Sequence, residues 1–186
     1  IAYCATCDGE FFTGLDIFVI GGGYAAAEEA MYLTRYGKHV TMIIREPDFT
    51  CAKSIADKVK EHPDITIHYH TEIKKADGDD LLREATFINN QTGEEFTYTA
   101  SEEDQTFGIF VFAGYEPATT LFKDHIELDD YGYIPTDSNM HTSVKGVFAA
   151  GDLRPKALRQ IVTAVADGAI AATAAERYVA EEKERL

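Results

Sequence analysis

Leu15-Asp16-Ile17-Phe18-Val19-Ile20-Gly21-Gly22-Gly23-Tyr24-Ala25-Ala26 sets a short apolar run against three glycines and an alanine-rich stretch. Strand, tight glycine turn and helix open a βαβ unit. The helix is expected over residues 24–36, with Gly37 as a left-handed C-cap, and Val40-Thr41-Met42-Ile43-Ile44 as the second strand. Gly21, Gly23 and Ala26 satisfy the G-x-G-x-x-G/A spacing: one glycine for the turn, one for close approach of a pyrophosphate, and a small residue where helix meets strand. Phosphates would rest on the helix N-terminus beside Tyr24 and Ala25, where backbone N–H groups and the helix dipole favour anions. The end of the second strand selects the cofactor, because a carboxylate there takes ribose hydroxyls and a basic cluster takes a 2′-phosphate. It carries Arg45 beside Glu46.

Upstream lies Cys4-Ala5-Thr6-Cys7-Asp8-Gly9. Two cysteines separated by two residues can close a small disulfide ring, and the adjacent Asp8 can supply or take up a proton. A zinc knuckle is the competing use. Zinc needs four ligands, whereas Cys51 is the only further cysteine and the six histidines show no ligand spacing. An incidental pair of thiols is the remaining alternative.

The chain has 186 residues, 45% of them apolar, with a formal charge of −15. That length holds one domain, or one domain and part of another. The negative charge disfavours nucleic acid and anionic membrane surfaces as partners. No apolar run reaches the roughly 20 residues that span a bilayer, and no basic-then-apolar signal opens the chain. A cytoplasmic location is expected, where a CxxC is catalytic more often than structural. The chain opens at Ile1 within an extended stretch and is expected to be a piece of a longer protein.

Beyond the second strand, a helix is expected over residues 51–61 with Ile55 and Val59 on one face, then a strand over 65–70. Residues 85–89 and 95–99 alternate around Asn90-Gln91-Thr92-Gly93, an antiparallel hairpin with glycine where positive φ is needed. Residues 107–112 are apolar throughout, as in a strand buried on both faces. A boundary is expected at Gly114-Tyr115-Glu116-Pro117, followed by little regular structure until a short strand over 146–150 ending in Gly151-Asp152. A long helix should run over residues 158–184, with Gly168 allowing close approach of a backbone or ligand. Glu28 and Glu29 read as a solvated helix face, His68 and His70 as exposed strand positions, and Cys51 as a partly buried free thiol.

Four stretches, taken in order, are spread along nearly the whole chain: Cys4 to Gly9; the Gly21 loop running into Glu28-Glu29-Ala30; Phe112-Ala113-Gly114-Tyr115-Glu116-Pro117; and Gly146 to Asp152, through Arg159-Gln160, to Asp167-Gly168-Ala169. They resemble the low-molecular-weight thioredoxin reductases and their relative, the flavoprotein subunit of alkyl hydroperoxide reductase. The resemblance implies an α/β fold. Residues 1–114 would form a Rossmann-like NAD(P)H-binding domain carrying the CxxC, and residues 115–186 the C-terminal part of a split FAD-binding Rossmann-like domain. It further implies that Cys7 faces the flavin, Cys4 attacks a partner disulfide and Asp8 handles the proton. Asp152 would bond the ribityl chain, with Arg159, Gln160 and Ile161 against the flavin and Gly114 and Gly151 in the cofactor-binding motifs. The implied partner is a thioredoxin-like protein or, in the peroxide-defence branch, a peroxiredoxin-like one, and the intact protein would be a homodimer. Without the resemblance, Asp152 would read as a helix-dipole carboxylate and Arg159 as a surface cation. A non-catalytic nucleotide-binding redox sensor is the reading from another class.

Two departures stand out. Where that family carries His-Arg-Arg and a further Arg for the 2′-phosphate, this chain has Ile44-Arg45-Glu46 and then Thr50. A charge-assisted hydrogen bond to a phosphate is worth about 1.5–3 kcal/mol, so the missing cations disfavour NADPH, leaving NADH or a donor other than a nicotinamide. Tyr24 and Ala25 also replace the polar pair usual after the glycines. The second departure is that the sequence lacks the amino-terminal FAD half with its own glycine loop. The chain alone is therefore expected to bind FAD poorly and to lack reductase activity.

Overall fold

The computed structural model describes residues 1–184 and divides into two compact units, Ile1–Gly114 and Tyr115–Leu186. The expected second unit includes residues 185–186, which lie outside the described residues.

The first unit is built on a four-stranded parallel sheet of order β3-β2-β1-β7: β1 (Asp16–Ile20), β2 (His39–Ile43), β3 (Ile65–His68) and β7 (Gly108–Val111). Alternation along the strands divides the core. Ile17, Val19, Val40, Met42 and Phe110 face α2 (Tyr24–Leu33) and α3 (Lys53–Lys60), packing on Ala26, Ala27, Ala30, Leu33 and Val59. Phe18, Ile43 and Ile109 face a three-stranded antiparallel sheet, β4 (Thr71–Gly78), β5 (Leu82–Asn89) and β6 (Glu95–Thr99), where Phe87 and Phe107 complete the layer. The hairpin stands as expected, with Gly93 at φ 74°.

Several boundaries differ from the sequence reading. Helix α2 ends at Leu33, and Gly37 is not in the left-handed region. Glycine is needed there for space, since a Cβ would lie 2.9 Å from Ile17 Cδ1. Strand β3 stops at His68 because His70 adopts φ 52° and turns the chain into β4, an element the sequence reading did not contain. His68 and His70 are half-buried rather than exposed, and His68 lies against Phe96 with ring centroids 5.0 Å apart. Cys51 is a free, half-buried thiol, as expected.

The second unit is mostly irregular up to α4 (Ile161–Glu184). No strand forms over residues 146–150; only an isolated bridge joins Phe148 to His141, because an extended segment becomes a ladder only where neighbours supply successive donors and acceptors. The long helix begins at Ile161, three residues late. Gln160 caps it, its N–H donating to Thr163 Oγ1 at 3.1 Å while its carbonyl accepts from Ala164 N–H at 3.0 Å. A Cβ on Gly168 would meet nothing within 4 Å among the described residues, so no backbone closes on it there. None of the helices among those residues is long and apolar enough to cross a membrane.

Candidate active site

Backbone pairing delivers the cysteines to the first unit. Ala2 lies beside β7, its N–H donating to Ile109 O at 2.8 Å and its carbonyl accepting from Val111 N–H at 3.0 Å. The chain then turns into α1 (Ala5–Asp8) and a 3-10 turn, Gly9–Phe12. Two glycines seat that turn: a Cβ on Gly9 would lie 3.3 Å from Leu33 and Tyr36, and one on Gly108 would lie 2.8 Å from the Phe12 ring. Phe12 packs edge-on against Phe110 at 5.1 Å, while Phe11 points outward and is 80% exposed.

Cys4 and Cys7 form a disulfide with Cα atoms 5.3 Å apart. Cys4 is the N-cap of α1, accepting the Cys7 N–H on Sγ at 3.2 Å, and is half-buried, whereas Cys7 is exposed. Asp8 is half-buried and its N–H donates to Cys4 O at 3.1 Å. Among the described residues no three His, Cys, Asp or Glu side chains gather to hold a metal.

The glycine turn adopts the geometry that its spacing requires. Gly21 has φ 137°, and a Cβ there would lie 2.5 Å from Phe112 O, so only glycine fits. A Cβ on Gly23 would meet only Thr50 Oγ1, at 3.7 Å, so the approach to the start of α2 is open; Tyr24 and Ala25 are exposed there and Ala26 is buried against the sheet. This cradle fits a dinucleotide pyrophosphate. The loop after β2 closes beside it through Thr50, whose N–H donates to Gly22 O at 2.9 Å. Arg45 Nε donates to Glu46 Oε1 at 3.0 Å, and both side chains are substantially exposed. Sequence reasoning named both residues but not their pairing. Tyr24 donates its hydroxyl to Glu28 Oε1 at 2.8 Å, and this bond to a carboxylate raises the phenol pKa. Glu29 is half-buried, and burial followed by the Glu28 charge pushes its carboxyl up. Gly114 closes the unit, exposed, at φ 104°.

In the second unit, Gly151, Asp152, Arg159, Gln160 and Ile161 lie along one segment between a 3-10 turn (Gly151–Leu153) and the start of α4. Asp152 and Ile161 are exposed, Ile161 at 84%. The segment is held by Asp167, the first residue of the Asp167-Gly168-Ala169 stretch, to which the sequence reading gave no role. Its Oδ2 accepts from Gly151 N–H at 3.0 Å, Arg154 Nη1 at 2.8 Å and Lys156 Nζ at 2.6 Å. The Lys156 bond, with Arg154 and the Gly151 N–H working against burial, holds the Asp167 carboxyl down to about 2. Arg159 lies over the Tyr133 ring at 4.5 Å, and its Nε is buried without a hydrogen-bond partner among the described residues. A half-buried guanidinium with an orphaned donor fits a site completed by a group rich in acceptors, as a flavin and its side chain are.

A parallel sheet with an open glycine turn, carrying a closed CxxC on the same unit, defines a Rossmann-like redox protein. The pattern described as pyridine nucleotide-disulphide oxidoreductase matches residues 1–168, and the chain belongs to that family. It is 51% identical over 181 residues to a thioredoxin reductase of Peptoclostridium litorale, covering 97% of this chain and 58% of that protein. With a thioredoxin reductase of Peptoclostridium acidaminophilum it shares 53% over 179 residues, covering 96% and 57% respectively. Among solved structures, thioredoxin reductase from Streptococcus pyogenes MGAS5005 superposes with a TM-score of 0.85 at 37% identity, covering 96% of this chain and 57% of that one. The chain thus spans under three-fifths of the length of these relatives.

Proposed function

We propose that this chain is part of a flavin-dependent disulfide reductase that passes electrons from a reduced nicotinamide, through FAD, to Cys4–Cys7 and on to a thioredoxin-like protein. The observation that carries this reading is the closed disulfide at the head of α1, on the unit that also bears the glycine turn. Residues 1–114 hold the nicotinamide dinucleotide at Gly21, Gly23, Tyr24, Ala25 and Ala26, with Gly114 at the exit. Residues 115–186 hold flavin-side contacts at Gly151, Asp152, Arg159, Gln160 and Ile161.

FAD, when bound, supplies a two-electron carrier between nicotinamide and disulfide. Two electrons and two protons open Cys4–Cys7 into two thiols, with the proton exchange assigned to Asp8, the residue after Cys7. The Cys4 thiolate attacks a partner disulfide; a mixed disulfide forms and one partner thiolate leaves. Cys7 then attacks Cys4 Sγ, restoring the ring and releasing the partner as a dithiol. Exposed Phe11, four residues after Cys7 in the chain, offers the partner an apolar anchor.

The Arg45–Glu46 pair supports NADH over NADPH, because the one cation left at the strand end is already engaged by a carboxylate. The same pair gives some support to a second reading, a peroxiredoxin-like partner. We place the intact protein in the cytoplasm as a homodimer. Steady-state oxidation of NADH by the intact flavoprotein tests the assignment: turnover should require a protein disulfide, and turnover unaffected by its omission contradicts the reading. Running thioredoxin-like and peroxiredoxin-like substrates in parallel separates the two partners.

A further inference from the structure

We propose that Tyr133 is a positioning residue for the flavin, acting through Arg159; the proposal rests on the reading of Arg159 as a flavin contact. Arg159 lies with its guanidinium carbon 4.5 Å from the centre of the Tyr133 ring, while its Nε is buried without a hydrogen-bond partner among the described residues. An arginine side chain has four flexible torsions, so ordering it carries an entropic cost. Stacking on an aromatic face fixes the guanidinium plane before any ligand arrives and leaves its outer N–H donors preorganised.

Tyr133 can do this because it is itself fixed. Asp129 Oδ1 accepts from the N–H groups of Tyr131 and Tyr133, both at 2.9 Å, and the Asp129 N–H donates to Tyr133 O at 2.8 Å. Gly132, at φ 83°, makes the turn between them. The following residues are tied to the segment that leads to Arg159. Ile134 N–H donates to Leu153 O at 2.9 Å, and Arg154 Nε donates to Thr136 Oγ1 at 2.5 Å. The Asp167 carboxylate holds Gly151, Arg154 and Lys156 of that segment from the other side. Ring and guanidinium thus belong to one braced scaffold, and the part Tyr133 plays needs its ring face, not its hydroxyl.

The test uses the intact flavoprotein, stripped of FAD and titrated with it, in native form and as Tyr133→Phe, Tyr133→Leu, Arg159→Leu and the Tyr133→Leu/Arg159→Leu double variant. The dissociation constant of FAD and the positions of its bound absorbance bands are read. Tyr133→Leu and Arg159→Leu should each weaken FAD roughly 3- to 30-fold, and both should shift the bands. Tyr133→Phe should stay within about twofold of native, and the double variant should bind no more weakly than Arg159→Leu alone. Tyr133→Met replaces the leucine variant should that fail to fold. Native FAD affinity and spectrum in Tyr133→Leu, with Arg159→Leu impaired, overturns the proposal and leaves the role of Arg159 standing. Fully additive effects also overturn it, since Tyr133 would then act independently of Arg159. Unchanged flavin properties in Arg159→Leu overturn the underlying reading and the proposal together.

Discussion

Arg45 donates its Nε hydrogen to the carboxylate of Glu46 at 3.0 Å, so adjacent residues at the end of β2 satisfy each other where a nucleotide ribose would be read. NADH should therefore exceed NADPH in kcat/KM for the intact flavoprotein. Glu46→Arg removes the competing carboxylate and adds a cation; it should raise kcat/KM for NADPH about tenfold or more, consistent with one charge-assisted phosphate contact. Native preference for NADPH would contradict this account of the pair.

Asp167 links protonation to stability. Its carboxyl is lowered from 3.8 to about 2 on folding, so the stabilisation is fully present above the ordinary value and is lost as pH falls through about 2. The difference is worth on the order of 2 kcal/mol. Asp167→Asn should lower stability at neutral pH by about 2–3 kcal/mol, since it leaves Arg154 and Lys156 without their shared anion. It should also flatten the acid limb of the stability curve between about pH 4 and pH 2, measured by urea denaturation.

Gly21 and Gly14 separate two reasons for positive φ. A Cβ at Gly21 would strike Phe112 O at 2.5 Å, whereas at Gly14, φ 77°, it would meet nothing within 4 Å. Gly21→Ala should cost about 3 kcal/mol or more, and Gly14→Ala about 1 kcal/mol, from its backbone conformation alone. Comparable denaturation midpoints for the two variants would show that the carbonyl contact carries no cost.

Phe11 is exposed while its neighbour Phe12 is packed on Phe110. Phe11→Ser should raise KM for a protein disulfide roughly 3- to 10-fold while leaving reduction of a small aromatic disulfide unchanged. Equal effects on both substrates would place Phe11 in the reductase chemistry rather than in docking.

The strand, glycine turn and helix around Gly21 were legible because apolar periodicity and glycine spacing are local signals, as was the Asn90–Gly93 hairpin turn. Gly37 shows where that legibility ends. A glycine announces that something excludes a side chain, but only packing reveals that Ile17, and not a left-handed backbone, is the cause. Strand β4 escaped notice because most of its residues face solvent and carry no apolar alternation. The segment 146–150 has a strand's composition but finds one bridging neighbour. At the candidate site, the sequence named Cys4, Cys7, Arg45, Glu46 and Arg159, while Asp167 and Tyr133 went without roles. The contacts that give them those roles, from Asp167 to Gly151, Arg154 and Lys156 and from Tyr133 to Arg159, reach 11 to 26 residues along the chain, and no periodicity records them.

Trapping the mixed disulfide tests the division of labour between the two cysteines most directly. The intact flavoprotein carrying Cys7→Ser, reduced and mixed with an oxidised thioredoxin-like protein, should accumulate a covalent adduct mapped by mass spectrometry to Cys4; Cys4→Ser should accumulate none. An adduct at Cys7 in the Cys4→Ser protein, or undiminished turnover in either variant, would contradict the account.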